Sequence, residues 1–149
     1  MSNAHLEMTP LLVDSLFTEA MLLADETRAC FDRSLDAGHL SPEISVAFSC
    51  ESLKVTTRLM HSIAWLLNQK ALRAGEITES EARNETNNLG YAPASDGPLV
   101  LQFPLLTQAL IGASEELYDR LQRLSEKMRA TVPRTSEPHA MRDRLRASF

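Results

Sequence analysis

Apolar residues recur at helical spacing through most of this chain, and polar or turn-forming stretches divide the pattern into long segments. From Pro10 to about Ala37, Val13, Phe17, Ala20, Ala24, Phe31 and Leu35 fall mostly three or four residues apart, with Leu12, Leu16, Leu23 and Cys30 beside them. Together these make one wide apolar face on a long helix. Thr9 suits the N-cap, Pro10 the first helical position and Gly38 the stop. The next segment starts with Ser41 as cap, Pro42 at the first position and Glu43 at the positive dipole end. It runs to about Arg73 without an internal proline or glycine, and Gly75 ends it. Ile44, Phe48, Val55, Leu59, Ile63 and Leu66 form one stripe along it, and Val46, Cys50, Leu53, Met60 and Leu67 form another. Two stripes predict a central helix that touches more than one neighbour.

A capping box, Thr78 to Glu81, predicts a short helix from about Glu79 to Asn87, closed by Asn88, Leu89 and Gly90. Tyr91 to Pro104 is a proline-rich loop. Its Leu99, Val100, Leu101 and Phe103 are too apolar to hang in water, so the loop is expected to lie packed across the helices. Leu106, Leu110, Ala113, Leu117, Leu121, Leu124 and Met128 give the sharpest helical pattern, on a third long helix from about Pro104 to Arg129. The resulting expectation is an all-α, antiparallel three-helix bundle with one short extra helix and a disordered C-terminal tail. Residues 1–8 read as a vector remnant, with Met8 a native start, residues 9–130 as the bundle domain and residues 131–149 as the flexible tail.

Charge sharpens this picture. The chain of 149 residues carries a formal net charge of −5, which argues against general nucleic-acid binding. The tail, with Arg134, Arg142, Arg144 and Arg146 against Glu137 and Asp143, is net +2, leaving −7 on the rest. A cationic tail on an anionic body can be a tether or a docking segment. No apolar run approaches the ~20 residues that span a bilayer. The absence of a secretory leader, with only two cysteines, points to the cytoplasm, where Cys30 and Cys50 would stay reduced and pack as small core residues.

Catalytic chemistry finds no footing in the sequence. There is no phosphate loop, dinucleotide fingerprint, zinc-protease motif or nucleophile elbow, so no catalytic, cofactor-binding or metal-binding residue is assigned. Cys30 and Cys50 could approach each other, but two more ligands for a metal are missing. His61 projects from the second long helix, as in histidine phosphotransfer domains. Those domains carry Lys three residues later and Gly one further on, where this chain has Ala64 and Trp65. Trp65 would crowd such a site, which leaves His61 a structural residue and phosphotransfer an alternative. The acidic pairs at Glu79 and Glu81 and at Glu115 and Glu116 read as solvated helix residues.

The run Phe48-Ser49-Cys50-Glu51-Ser52-Leu53-Lys54-Val55-Thr56-Thr57-Arg58-Leu59-Met60, continuing to Ile63-Ala64-Trp65-Leu66-Leu67, resembles the RcdA family, the regulator-of-CtrA-degradation proteins of alphaproteobacteria. So do Pro104-Leu105-Leu106 and Ser114-Glu115-Glu116-Leu117-Tyr118-Asp119-Arg120-Leu121. The resemblance runs from about Leu11 to Met128. It implies a three-helix bundle that serves as a non-catalytic adaptor, helping deliver cell-cycle regulators such as CtrA to the ClpXP protease. The implied partners are the protease's unfoldase, other adaptors and protein cargo, in the cytoplasm and with recruitment to a cell pole. Partner contacts are expected from the tail residues Arg142, Arg144 and Arg146 and from Tyr91, Leu99 and Phe103 of the loop. A homodimer is expected from the surplus apolar surface. A purely structural dimerisation module is the remaining alternative.

Overall fold

The computed structural model describes residues 10–36, 41–84 and 88–131. The expected cap at Thr9, the stop at Gly38 and the tail with its arginines lie outside them. Among the described residues five helices follow in order: α1 Pro10–Asp36, α2 Pro42–Arg73, α3 Glu79–Ala82, α4 Gly97–Val100 and α5 Leu105–Thr131. The chain is thus an all-α bundle built on three long helices.

Local signals set the ends of α2 as the sequence predicts. Ser41 is the N-cap and its hydroxyl accepts from the Ile44 N–H. Pro42 takes the first turn, and past the C-cap Ala74 the chain reverses at Gly75, whose φ is +75°. That conformation strains any residue with a Cβ. α3 is shorter than expected. Thr78 caps it, its hydroxyl accepting from the Glu81 N–H, but the helix ends at Ala82 with Arg83 as C-cap. None of its residues is buried, so nothing extends it beyond one turn. Conversely, the loop expected from Tyr91 to Pro104 contains α4, capped by Asp96, whose side chain accepts from the Leu99 N–H.

α1 is antiparallel to both long neighbours. Its start meets the end of α2, where Arg73 donates to Asp14 at 3.0 Å, and its Glu19 pairs with Arg120 towards the end of α5. At its other end Cys30 lies 3.5 Å from Thr107, near the start of α5. α2 and α5 therefore run in the same direction, Phe48 lying near Phe103 and Arg58 near Ser114. The connection between them has to return the chain along the bundle. It does so as a strap that tracks back along α2: Gly90 lies against His61, Pro93 and Ser95 meet Arg58, Asp96 meets Glu51, and Phe103 packs on Phe48.

The core lies between the three long helices and under the strap's end. Phe48 is its centre, with Phe31 at 4.6 Å and Phe103 at 5.3 Å between ring centroids, the latter edge to face. Val13, Leu16, Ala20 and Leu23 of α1, Val55, Leu59, Trp65 and Leu66 of α2, and Leu110, Ile111, Leu117 and Leu121 of α5 complete it. Buried hydroxyls are tolerated because they bond back to their own helix, as Ser62 does to the Arg58 carbonyl and Ser114 to that of Ile111.

Two expectations about sidedness change. Of the two stripes on α2 only the first is buried; Val46, Cys50, Leu53, Met60 and Leu67 face outward. Cys50 is accordingly exposed while Cys30 is core, because the two stripes lie on opposite faces of α2 and its neighbours cover only one. Leu106, first in the α5 stripe, is exposed as well, as is Leu101 in the loop.

Candidate protein-binding surface

A set of buried polar contacts holds the strap down. Arg58, 1% exposed, sits on the buried face of α2. Its guanidinium donates to Ser114 Oγ at 3.2 Å, to the Pro93 carbonyl at 3.0 Å and to Ser95 Oγ at 2.6 Å. A buried guanidinium is tolerable only when its donors are matched in this way. One side chain thereby ties α2, α5 and the strap together. Tyr118 of α5 adds a second clamp. Its hydroxyl accepts from the Ala92 N–H at 3.2 Å and donates to the Gly90 carbonyl at 2.8 Å.

Glu51, one heptad before Arg58, is the third anchor. Its Oε1 accepts from the Asp96 N–H at 3.1 Å and from Lys54 Nζ at 3.0 Å. Burial alone would push this carboxyl's pKa up. The Ser95 hydroxyl, the Asp96 amide and the Lys54 ammonium outweigh that and hold it below the ordinary glutamate value. At the strap's end, the Gln108 side-chain amide donates to the carbonyls of Phe103 at 2.8 Å and Leu101 at 3.3 Å.

Between strap and α5 lies a shallow cleft of about 230 Å³. Arg58 and Tyr118 form its inner end, Tyr91, Ala92 and Ala94 one side, and Glu115, Asp119 and Gln122 the other. Tyr91 is 81% exposed at its rim. Of the loop residues expected to meet partners, Tyr91 offers most of its side chain, Leu99 is half-buried, and Phe103 belongs to the core beside Phe48. Phe103 is drawn inward because the strap must close the end of the bundle that α1, α2 and α5 leave open. Arg142, Arg144 and Arg146 lie outside the described residues.

His61 is covered by the strap. A Cβ on Gly90 would come within 2.7 Å of the imidazole, and Nδ1 is buried without a hydrogen-bond partner. Gly90 thus does the crowding that Trp65 was expected to do; Trp65 itself is in the core. A ring packed under backbone in this way suits a structural role better than contact with a phosphodonor. Among the described residues, no group of three or more His, Cys, Asp or Glu side chains could hold a metal ion, and no helix is long and apolar enough to cross a membrane.

The sequence reading missed Glu51, Arg58, Ser114 and Tyr118. A signal was present. Glu51, Val55, Arg58 and Ser62 follow one another at spacings of four, three and four, so two charged residues fall on the face that Phe48 and Val55 mark as buried. Charge at such positions implies a partner brought in from elsewhere in the chain.

Three long helices, a strap clamped to them and an exposed apolar face on α2 define the molecule among the described residues. The family model described as "Protein of unknown function (DUF1465)" matches residues 5–149, and the chain belongs to that family. It is RcdA-like: the crystal structure of RcdA from Caulobacter crescentus CB15 is similar with a TM-score of 0.63 and 33% identity, over 78% of this chain and 90% of that one. No curated protein matches the chain.

Proposed function

We propose that this protein is a non-catalytic adaptor that helps deliver cell-cycle regulators, CtrA among them, to the ClpXP protease. The observation that carries this reading is the likeness to RcdA over most of both chains. The physical features support it. Arg58, Tyr118 and Glu51 are engaged in holding the strap, and the body is anionic with a cationic C-terminal sequence. An adaptor needs no chemistry of its own. It acts by raising the effective concentration of cargo beside the unfoldase. Tyr91 on the cleft rim and Arg142, Arg144 and Arg146 in the tail are the proposed partner contacts. On this reading the protein acts in the cytoplasm as a homodimer and reaches a cell pole with its partners. Phosphotransfer through His61 has no comparable support, since Gly90 covers the ring.

Binding to the unfoldase and to a partner adaptor tests the contacts directly. Labelled protein titrated with each should show saturable binding with at least one of them. Replacing the three tail arginines by Gln should weaken binding to an acidic partner surface and reduce its salt dependence. Wild-type protein that binds neither the unfoldase, nor a partner adaptor, nor cargo would count against the adaptor reading.

A further inference from the structure

The cleft between the strap and α5 has an acidic wall and an aromatic rim. Glu115, Asp119, Gln122 and Glu126 follow one another on α5 at spacings of four, three and four, so they form one ridge, and the first three line the cleft. Arg123 and Lys127 fall on the ridge beside it. None of the ion pairs among the described residues engages Glu115, Asp119 or Glu126. Across the cleft Tyr91 is 81% exposed, although Ala92 beside it is buried and held by Tyr118. Arg58 closes the inner end, but it is buried and its guanidinium donates to Ser114, Pro93 and Ser95. The mouth therefore presents two carboxylates and, opposite them, an exposed ring. That combination repels anions and suits a guanidinium, which can pair with carboxylates and stack on an aromatic face.

We infer that this mouth receives the arginines of the chain's own C-terminal segment, Arg142 against Asp119 and Arg144 against Glu115, with Tyr91 flanking the guanidiniums. The inference rests on the adaptor reading, in which those arginines and Tyr91 meet partners, and adds that in the free protein they hold one another. The occupant follows from charge, spacing and reach. Residues 132–149 are net +2 on a body of −7. In an extended segment, residues two apart lie on the same side, ~6.6–6.8 Å from each other. Residues four apart on a helix are separated by ~6 Å along its axis. Arg142 and Arg144 thus match the interval between Asp119 and Glu115, and Asp143 between them would point away. From Thr131, the end of α5, the way back to Asp119 is ~18 Å along the helix. The eleven bonds of chain from Thr131 to Arg142 can span up to ~36 Å, twice what is needed. A segment leaving the end of α5 and doubling back passes Glu126 first, which sets the order of the pairs. Tethering gives it an effective concentration on the order of millimolar, an advantage that a basic segment of another molecule lacks. Because the same arginines serve partner binding, the contact is a latch that an acidic partner surface has to open.

The test is a paramagnetic probe on the full chain. A nitroxide is attached to Ala140→Cys in a Cys50→Ser background, where buried Cys30 stays unlabelled, and amide resonances are read at low salt. Amides of Tyr91, Ala92, Glu115 and Asp119 should broaden, and those on the outer face of α1, such as Leu22, should not. Glu115→Gln with Asp119→Asn should abolish the broadening, as should Arg142→Gln with Arg144→Gln, or salt at about 0.5 M. Glu26→Gln with Glu116→Gln, which removes the same charge from exposed positions outside the cleft, should leave it intact. The arginine variants lie outside the described fold, so their effect cannot come from unfolding the bundle. If the latch is closed about nine-tenths of the time, neutralising Glu115 and Asp119 should tighten the tail's apparent affinity for an acidic partner surface about tenfold. No broadening at the cleft, or broadening that survives neutralisation of both acids, would overturn the site. Equal broadening with nitroxide and isotope label on different molecules would mean a tail from another copy and overturn the intramolecular latch. A closed latch in a protein that binds no partner would keep the cleft and remove the adaptor, while an adaptor whose tail never meets the cleft would do the reverse.

Discussion

Removing the guanidinium of Arg58 should loosen the strap far more than the bundle. Arg58→Met keeps an apolar stem of similar length but deletes the donors that reach Ser114, Pro93 and Ser95. Hydrogen bonds to a charged group contribute ~1.5–3 kcal/mol each. Against that loss, the mutant no longer holds a desolvated cation, whose penalty is several kcal/mol. Ser114 keeps its bond to the Ile111 carbonyl, and Pro93 and Ser95 are only half-buried, so water can reach what Arg58 releases. The global stability should therefore change by no more than about 2 kcal/mol. The strap, however, loses both of its direct ties to Arg58. Opening the strap in the wild type also rehydrates the guanidinium, which offsets about half of what the two bonds contribute, so the opening free energy should fall by roughly 1.4–2.8 kcal/mol, a tenfold to hundredfold rise in local exchange. Native-state hydrogen exchange reads this at the amides of Ala92 and Asp96, bonded to Tyr118 and Glu51. Core amides such as those of Leu66 and Leu117 serve as the global reference. Unchanged exchange at Ala92 and Asp96, or acceleration by the same factor everywhere, would refute the view that Arg58 acts mainly as the strap's clasp.

Gly90→Ala should destabilise by about 1–3 kcal/mol, since its methyl would enter the space of the His61 ring, and His61→Ala should restore most of the loss in a denaturant double-mutant cycle. Phe48→Ala, at the centre of the aromatic trio, should cost about 3–5 kcal/mol in urea unfolding. Glu51 gives an acid dependence of definite sign. Its carboxyl binds a proton more weakly folded than unfolded, so its contribution is complete above the unfolded value of about 4.3 and is lost as pH falls through the lower folded value. Wild type should therefore lose stability on acidification through that range more steeply than Glu51→Gln, and parallel curves would remove Glu51 as the source.

What the sequence made legible follows the physics of each signal. Ser41, Pro42 and Gly75 act through local backbone geometry, so the bounds of α2 could be read without knowing anything it touches. Periodicity likewise gave the three long helices. It cannot say which of the two α2 stripes faces inward, because both have helical spacing, and so the pattern alone puts Cys50 in the core although it is exposed. Nor could it give the direction of α5. That depends on how far the return segment travels, and the segment's anchors are single contacts with Arg58, Glu51 and Tyr118 rather than a repeating pattern. In the strap itself no period separates Phe103, which is buried, from Leu101, which is exposed. The cleft was invisible for the same reason, since its walls come from α5 and a loop distant in sequence.

The rate at which a purified cell-cycle regulator is degraded by the reconstituted protease, with its unfoldase, partner adaptors and ATP, tests the central claim most directly. The regulator should disappear faster when the whole protein is added. A form truncated after Ala130, which keeps the clamped bundle and lacks the arginine-bearing tail, should lose part or all of that effect. No change in rate with either form, across several cargoes and with every partner present, would contradict the adaptor account.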